Sequence, residues 1–251
     1  MNIVVGGTGF VGSTLARGIE FGASFSSGNI GEFKHVPDGC DLYLCCPTAQ
    51  KWLVDKNPVG DLLSAMSIVE TLRSRRFRAV YLFSTIDVYC ESPVGSDEDV
   101  VPTFRRIGYG HNRRAFEMAC MGSLECQRFM SFRLPALFGA GLKKNVIYDI
   151  MNGHRLEHLN SNSSYQWYDM GDLLGDVRKC EQIHQGGVFN LFNEPVETSE
   201  LCLKVFGREF GASGGRIFYD HRTKFCRGGY MRSREEVLEK LRRFVSEHSS
   251  K

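Results

Sequence analysis

A glycine-rich turn directly follows a short β-branched run at the start of the chain. Residues 2–5 read Asn-Ile-Val-Val, and residues 6–12 read Gly-Gly-Thr-Gly-Phe-Val-Gly. A buried parallel strand ends in this way, and we expect a helix to follow from Gly12 to about Phe21. A strand that leads into a helix through such a glycine-rich turn is typical of a small group of α/β folds.

The spacing of these glycines indicates a phosphate ligand. A pyrophosphate needs backbone N–H groups directed at it, no Cβ in the way, and the positive end of a helix. The turn fits Gly7-x-Gly9-x-x-Gly12 and also Gly6-x-x-Gly9-x-x-Gly12, so spacing alone does not choose the subclass. Between a strand and a helix, it predicts a dinucleotide site for NAD or NADP, and a turn without a ligand is the alternative.

The residue that selects between NAD and NADP is not apparent in the sequence. An acidic side chain usually follows the second strand and holds the adenosine ribose. The predicted second strand, residues 23–26, ends in Ser26 and Ser27, and Glu32 lies beyond it. Hydroxyl groups without a carboxylate tolerate the 2′-phosphate of NADP, and Lys34 can help to bind that phosphate. The sequence therefore does not choose between NAD and NADP.

Strand and helix patterns alternate along the rest of the chain. Strands are predicted at residues 41–46, 79–83, 129–134 and 188–191, and helices at 61–73, at 109–121 and after a capping box formed by Ser233 and Glu236. This order predicts an α/β fold, a Rossmann-type doubly wound parallel sheet with a small C-terminal substrate lobe. We expect one unit over residues 1–251, with the sheet core at 1–140 and 165–195 and the lobe at 141–164 and 196–251.

Composition argues against several other classes of protein. The net charge of +2 gives no reason to expect nucleic acid or an anionic membrane as a partner. The nine cysteines are an odd number without a CxxC pair, which favours free thiols in a reducing, cytoplasmic setting. No apolar stretch approaches the roughly eighteen residues that a membrane-spanning helix needs. His154 and His158 have a chelating spacing but no third ligand, so we expect no metal site.

Four further motifs follow the glycine turn in a familiar order. They are Ser-Thr-Ile-Asp-Val-Tyr at 84–89, Tyr-Gly-His-Asn-Arg at 109–113, Arg-Leu-Pro-Ala-Leu-Phe-Gly at 133–139 and Phe-Asn-Leu at 189–191. From residue 3 to about 205, the chain resembles the extended short-chain dehydrogenases/reductases, the family of nucleotide-sugar epimerases, dehydratases and 4-keto reductases. The resemblance implies an NAD(P)-dependent epimerase or 4-keto reductase that acts on a sugar or nucleotide sugar in glycan biosynthesis.

The resemblance also implies a catalytic set. The family uses a Ser or Thr, a Tyr, and a Lys four residues after the Tyr. Thr85 and Tyr109 match the first two, and Arg113 replaces the lysine. Tyr109 and Arg113 share a helix face. Positive charge helps a tyrosine act as a base near neutral pH, although an arginine cannot release a proton. We expect Tyr109 to exchange a proton with a substrate oxygen that Thr85 hydrogen-bonds.

Asp87 is a further catalytic candidate, with a turn-capping carboxylate as the alternative. Dehydratases of the family carry an acidic pair where this chain has Ile86-Asp87, and half of that pair argues against full dehydratase chemistry.

The remaining site residues are also implied by the resemblance. Cofactor contacts are expected at Gly6, Thr8, Gly9, Phe10, Val11, Gly12, Asn29, Ile30, Cys46, Pro47, Thr48, Tyr109, Arg113 and Pro135. Substrate contacts are expected at Thr85, Tyr109, Lys144 and Asn145, the last two as diphosphate ligands or else as an ordinary solvated face. Many relatives form homodimers through two helices, one of which carries the tyrosine.

Three departures from the family pattern keep a second function open. Arg113 replaces the lysine, position 136 is Ala where Asn is common, and the arginine that grips a nucleotide-sugar phosphate is missing near Tyr165. A dinucleotide-binding protein with lost or altered catalysis, in a sensor or structural role, is therefore the alternative to an enzyme.

Overall fold

The computed structural model describes residues 1–248. The strands are β1 Asn2–Val5, β2 Ala23–Phe25, β3 Cys40–Leu44, β4 Arg76–Thr85, β5 Glu125–Leu134, β6 Ala136–Phe138, β7 Ser164–Tyr165, β8 Trp167–Asp169, β9 Gly187–Asn190 and β10 Val196–Glu197. The α-helices are α1 Phe10–Leu15, α2 Lys51–Lys56, α3 Pro58–Leu72, α4 Tyr109–Ser123, α5 Val146–Asn152, α6 Leu173–Ile183, α7 Thr198–Phe206 and α8 Arg234–His248. A 3-10 helix, Ile86–Tyr89, follows β4 directly.

Six strands form the main sheet in the order β2-β1-β3-β4-β5-β9. β1 pairs in parallel with β2 and β3, and β3 pairs in parallel with β4. The order 2-1-3-4-5 is one of the two common orders of doubly wound α/β sheets, and helices flank this sheet, so the predicted Rossmann-type fold class is confirmed. Parallel strands end at the same edge, and the chain order reverses between β1 and β3. The ends of β1, β3 and β4 therefore share the edge where such folds bind ligands.

The chain divides into two compact units. The first comprises Met1–Pro93, Val100–Arg133 and Leu173–Phe189, and the second comprises Val94–Asp99, Leu134–Asp172 and the chain from Asn190 onward. The first unit packs apolar side chains of the sheet against α3 and α4. Leu42, Leu72 and Val80 are completely buried there, and each such side chain contributes about 1.5–3 kcal/mol.

The second unit has its own core of α5, α7 and α8 around Trp167 and Leu241. Here β6 pairs with β8 and β7 pairs with β10. These four short strands all belong to this unit, and the predicted division into a sheet core and a substrate lobe stays a prediction.

Two predicted helices show how local chemistry sets the ends of an element. The helix expected from Gly12 to Phe21 begins at Phe10 and ends at Leu15. After Leu15 the chain continues in turns, in which the backbone N–H groups of Arg17 and Gly18 donate to carbonyl groups three residues earlier. The capping box before α8 is confirmed, since Ser233 N donates to Glu236 Oε2 at 2.8 Å and Glu236 N donates to Ser233 Oγ at 3.3 Å.

Within residues 1–248, the helices are all too short or too polar to cross a membrane.

Candidate active site

The glycine turn joins β1 to α1 through backbone contacts that leave little room for side chains. Gly6 has φ +88°, and a Cβ there would lie 2.5 Å from the Cys45 carbonyl oxygen. A Cβ on Gly12 would overlap the Gly6 carbonyl oxygen and the Gly7 Cα. Gly6 and Gly12 are therefore required by the packing of the turn itself.

Gly9 is different, because a Cβ there would approach a single atom, the Gly6 carbonyl oxygen at 3.3 Å. Gly9 is also the N-cap of α1 and offers no side chain to the first-turn N–H groups, which lack partners inside any helix. Thr8 and Gly9 are exposed at this end of the turn. A cradle of amides without side chains fits a pyrophosphate, as the glycine spacing predicts.

Thr85 and Tyr109 lie in one cluster at the carboxyl end of β4. Thr85 is the last residue of β4, and its Oγ1 accepts a hydrogen bond from Asp87 N at 3.2 Å. Tyr109 is the first residue of α4 and is 8% exposed. A Cβ on Gly110 would overlap the Asp87 carbonyl group, so a glycine is needed for α4 to begin this close to the 3-10 helix. The structure thus brings together Thr85, Asp87 and Tyr109.

Arg113 joins the same cluster but is held by a carboxylate that the sequence motif did not include. Its two terminal nitrogens donate to the Asp61 oxygens at 2.9 and 2.8 Å, and one also donates to the Thr48 carbonyl at 2.8 Å. The guanidinium carbon lies 4.8 Å from the centre of the Tyr109 ring. Both members of the ion pair are largely buried. Asp61 therefore balances the charge of Arg113 and fixes the guanidinium over the ring.

The environment of Tyr109 favours the protonated phenol. Burial raises the pKa of Tyr109 to about 12, and the charge of Asp87 acts in the same direction. Arg113 and Thr85 lower it by a smaller amount. At neutral pH, Tyr109 in this arrangement carries a proton that it can donate.

Two residues of α2 complete the surroundings of Tyr109. Lys51 Nζ lies 2.6 Å from Asp87 Oδ1, and Asp55 Oδ1 accepts the Tyr109 backbone N–H at 3.2 Å. Ser84 Oγ, one residue before Thr85, and Arg113 Nε are buried and have no hydrogen-bond partner within residues 1–248. These orphaned donors fit a ligand with hydroxyl or carbonyl oxygens, such as the ribose and carboxamide of a nicotinamide nucleotide.

The sequence motifs did not indicate Lys51, Asp55, Asp61 or Ser84 as site residues. Asp61 resembles an ordinary first-turn acid of an amphipathic helix, and no linear motif links it to Arg113 across 52 positions. Ser84 lies inside the 84–89 motif, and its position beside Thr85 is the signal that could have indicated it.

Further cofactor contacts were predicted in the segments that follow β3 and β2. A cis peptide joins Cys46 to Pro47. Burial raises the pKa of the Cys46 thiol to about 12, so that it stays protonated at neutral pH. Asn29 Oδ1 accepts from Ser26 N at 2.7 Å, and Ile30 begins a 3-10 helix. The polar atoms of Asn29 thus shape the turn, and the predicted adenine contact stays a prediction.

Three predicted site residues, Pro135, Lys144 and Asn145, belong to the second unit. Asn145 caps α5 by accepting from Tyr148 N at 3.1 Å, and its Nδ2 donates to the Leu137 carbonyl at 2.8 Å. Burial lowers the pKa of Lys144. The expected contacts of these residues with cofactor and substrate stay predictions. Among the described residues, no group of three or more His, Cys, Asp or Glu side chains is arranged to hold a metal ion.

No protein-family model matches the sequence, and no curated protein matches it. Solved structures do match over nearly the whole chain. The dTDP-4-dehydrorhamnose reductase of Bacillus anthracis in complex with NADP has a TM-score of 0.74 at 17% identity, covering 98% of this chain and 97% of that one. The Bordetella bronchiseptica enzyme WbmG in complex with NAD has a TM-score of 0.75 at 15% identity, covering 99% and 94%. The NAD-dependent NDP-hexosamine 5,6-dehydratase TunA has a TM-score of 0.74 at 15% identity, covering 98% and 96%. At these identities, the likeness shows a shared fold.

Proposed function

We propose that this protein is an NAD- or NADP-dependent oxidoreductase or epimerase of the extended short-chain dehydrogenase/reductase type, acting on a nucleotide sugar. One observation carries the proposal: the glycine cradle and the Thr85–Tyr109–Arg113 cluster lie at the carboxyl ends of β1 and β4 in one parallel sheet. Structures of the same fold that were solved with NAD or NADP support it. Two further structures of this fold were solved in complex with UDP-glucose and with UDP-N-acetylmuramic acid.

The chain's own residues supply binding and proton transfer. The amides around Gly9 would hold the two linked phosphates, and Ser84 Oγ and Arg113 Nε, which lack partners within residues 1–248, would be available to sugar and amide oxygens of the dinucleotide. When bound, the nicotinamide ring supplies or accepts hydride. Tyr109, protonated at neutral pH, donates its proton to a substrate carbonyl oxygen that Thr85 hydrogen-bonds. Reduction of a carbonyl uses Tyr109 in this protonated form, whereas the reverse reaction needs the tyrosine as a base.

A dinucleotide-binding protein without turnover is the second candidate function. It is favoured by the ion pair between Arg113 and Asp61, because the carboxylate offsets part of the positive charge by which Arg113 lowers the pKa of Tyr109. The two functions differ in one observable. A catalyst changes the nicotinamide absorbance when a nucleotide sugar is added, whereas a sensor binds the dinucleotide and leaves its redox state unchanged.

Calorimetry with NAD⁺, NADH, NADP⁺ and NADPH tests the binding step and the choice of cofactor. We expect one pair to bind and Gly9→Ala to weaken that affinity at least about tenfold, which corresponds to 1.4 kcal/mol. Gly175→Ala in α6 is the matched control, because a Cβ there meets nothing within 4 Å and the residue lies outside the turn. Absence of binding heat with all four dinucleotides, or equal affinity in the Gly9 variant, contradicts the proposal.

A further inference from the structure

The cluster around Tyr109 contains a cation that the proposed reaction does not yet use. Lys51, the first residue of α2, forms an ion pair of 2.6 Å with Asp87. The Asp87 side chain is 13% exposed and that of Lys51 is 51% exposed. The pair therefore connects the solvent side of the cluster with the carboxylate that raises the pKa of Tyr109.

The charges around Tyr109 come from four elements. They are Lys51 and Asp55 on α2, Asp61 on α3, Arg113 on α4, and Asp87 on the 3-10 helix, with the Cys90 thiol directly after it. Asp61 grips Arg113 with both oxygens, so the arginine is already balanced. Asp55 faces the backbone N–H of Tyr109. The carboxylate of Asp87 forms an ion pair with Lys51.

We propose that Lys51 is a positioning residue of the active centre, which acts on Tyr109 through Asp87 by balancing the carboxylate charge near the phenol. Lys51 contacts Asp87, whereas Arg113 is committed to Asp61. An uncompensated Asp87 would disfavour the tyrosinate form of Tyr109. The proposal rests on the proposed function, because it gives Lys51 a purpose only if the Tyr109 proton takes part in a reaction.

The test measures the ionisation of Tyr109 directly and needs neither cofactor nor substrate. A difluorotyrosine, whose phenol is more acidic than that of tyrosine, is incorporated at position 109, and its fluorine chemical shift is followed against pH. The parent chain is compared with Lys51→Met, Lys51→Arg, Asp87→Asn and the double variant. Lys56→Met is the matched control, since Lys56 ends the same helix and lies over the Trp52 ring. Circular dichroism checks that each chain is folded.

We expect Lys51→Met to raise the titration midpoint by roughly half a pH unit, the size typical of a half-exposed ion pair. Lys51→Arg should restore the parent midpoint, and Lys56→Met should leave it unchanged. Asp87→Asn should lower the midpoint, and adding Lys51→Met to it should have no further effect. An unchanged midpoint in Lys51→Met overturns the proposal. So does a Lys51→Met shift that persists in the Asp87→Asn background, because Lys51 then acts by another route.

The result of the fluorine titration can be distinguished from the result of the dinucleotide-binding test. Failure of all four dinucleotides to bind removes the proposed activity but leaves the fluorine titration intact. Conversely, normal dinucleotide binding with an unchanged Lys51→Met midpoint removes only the role of Lys51.

Discussion

Replacing Asp61 by Asn should destabilise the protein far more than its place near the start of a helix suggests. Asp61 and Arg113 are 10% and 5% exposed and share two hydrogen bonds. Removing one partner of a buried ion pair leaves the other charge without compensation, at a cost of about 3–5 kcal/mol. An asparagine also turns an N–H₂ group toward one guanidinium nitrogen or toward the Asn112 amide, which now donates to Asp61 at 2.8 Å.

Urea unfolding followed by circular dichroism measures this loss. With a urea dependence of about 2–3 kcal/mol per M for a chain of this size, the midpoint should fall by at least about 1 M. Glu70→Gln is the matched control. Glu70 lies on the same helix in an exposed pair with Arg73, 2.9 Å apart, and such pairs contribute less than about 1 kcal/mol. Equal midpoints for the two variants would refute the reasoning.

A double replacement separates charge from packing. Asp61→Leu combined with Arg113→Met removes both charges, so it should cost less than the sum of the two single changes. If the double variant is as unstable as that sum, the destabilisation does not come from the unpaired charge.

Three further outcomes follow from the structure. Tyr109→Phe should lower turnover at least about 100-fold with little change in dinucleotide affinity by calorimetry, and full turnover would exclude the proton-transfer role. Gly12→Ala should destabilise the chain by about 1–3 kcal/mol in urea even without a dinucleotide, because its Cβ overlaps the Gly6 carbonyl; an unchanged midpoint would contradict this packing. Burial alone would raise the pKa of Glu117, but hydrogen bonds and charge from Arg133 lower it below its ordinary value. Its carboxylate therefore adds stability above about pH 4.3, and this is lost as the pH falls through the lowered pKa. Glu117→Gln should reduce the loss of unfolding free energy at acid pH, measured by urea unfolding at several pH values. An unaltered pH dependence would contradict this role of Glu117.

The sequence predicted the sheet and the centre of the site for a clear reason. The β1 run, the glycine turn and the motif at 84–89 are local patterns, and a parallel sheet gathers the ends of its strands at one edge. Thr85, Asp87, Tyr109 and Arg113 lie together in the structure because each belongs to such an end or to the helix start beside it.

Site residues that lie on helices outside these motifs were not predictable in this way. Asp61 and Lys51 reach the cluster from α3 and α2, and their partners stand 52 and 36 positions away. Linear spacing carries no signal for such pairs. The short strands β6, β7, β8 and β10 were missed for a related reason, since two or three residues are too few to show a period of two.

The two kinds of glycine in the first turn have different evolutionary consequences. A Cβ on Gly6 would meet the Cys45 backbone and a Cβ on Gly12 would meet the Gly6 and Gly7 backbone, so both glycines are needed whether or not anything is bound. Gly9 is held by almost nothing inside the chain. If the turn binds a dinucleotide as proposed, a descendant that had lost this ligand would retain Gly6 and Gly12 and be free to replace Gly9, so a substitution at Gly9 would be the first sign of the loss.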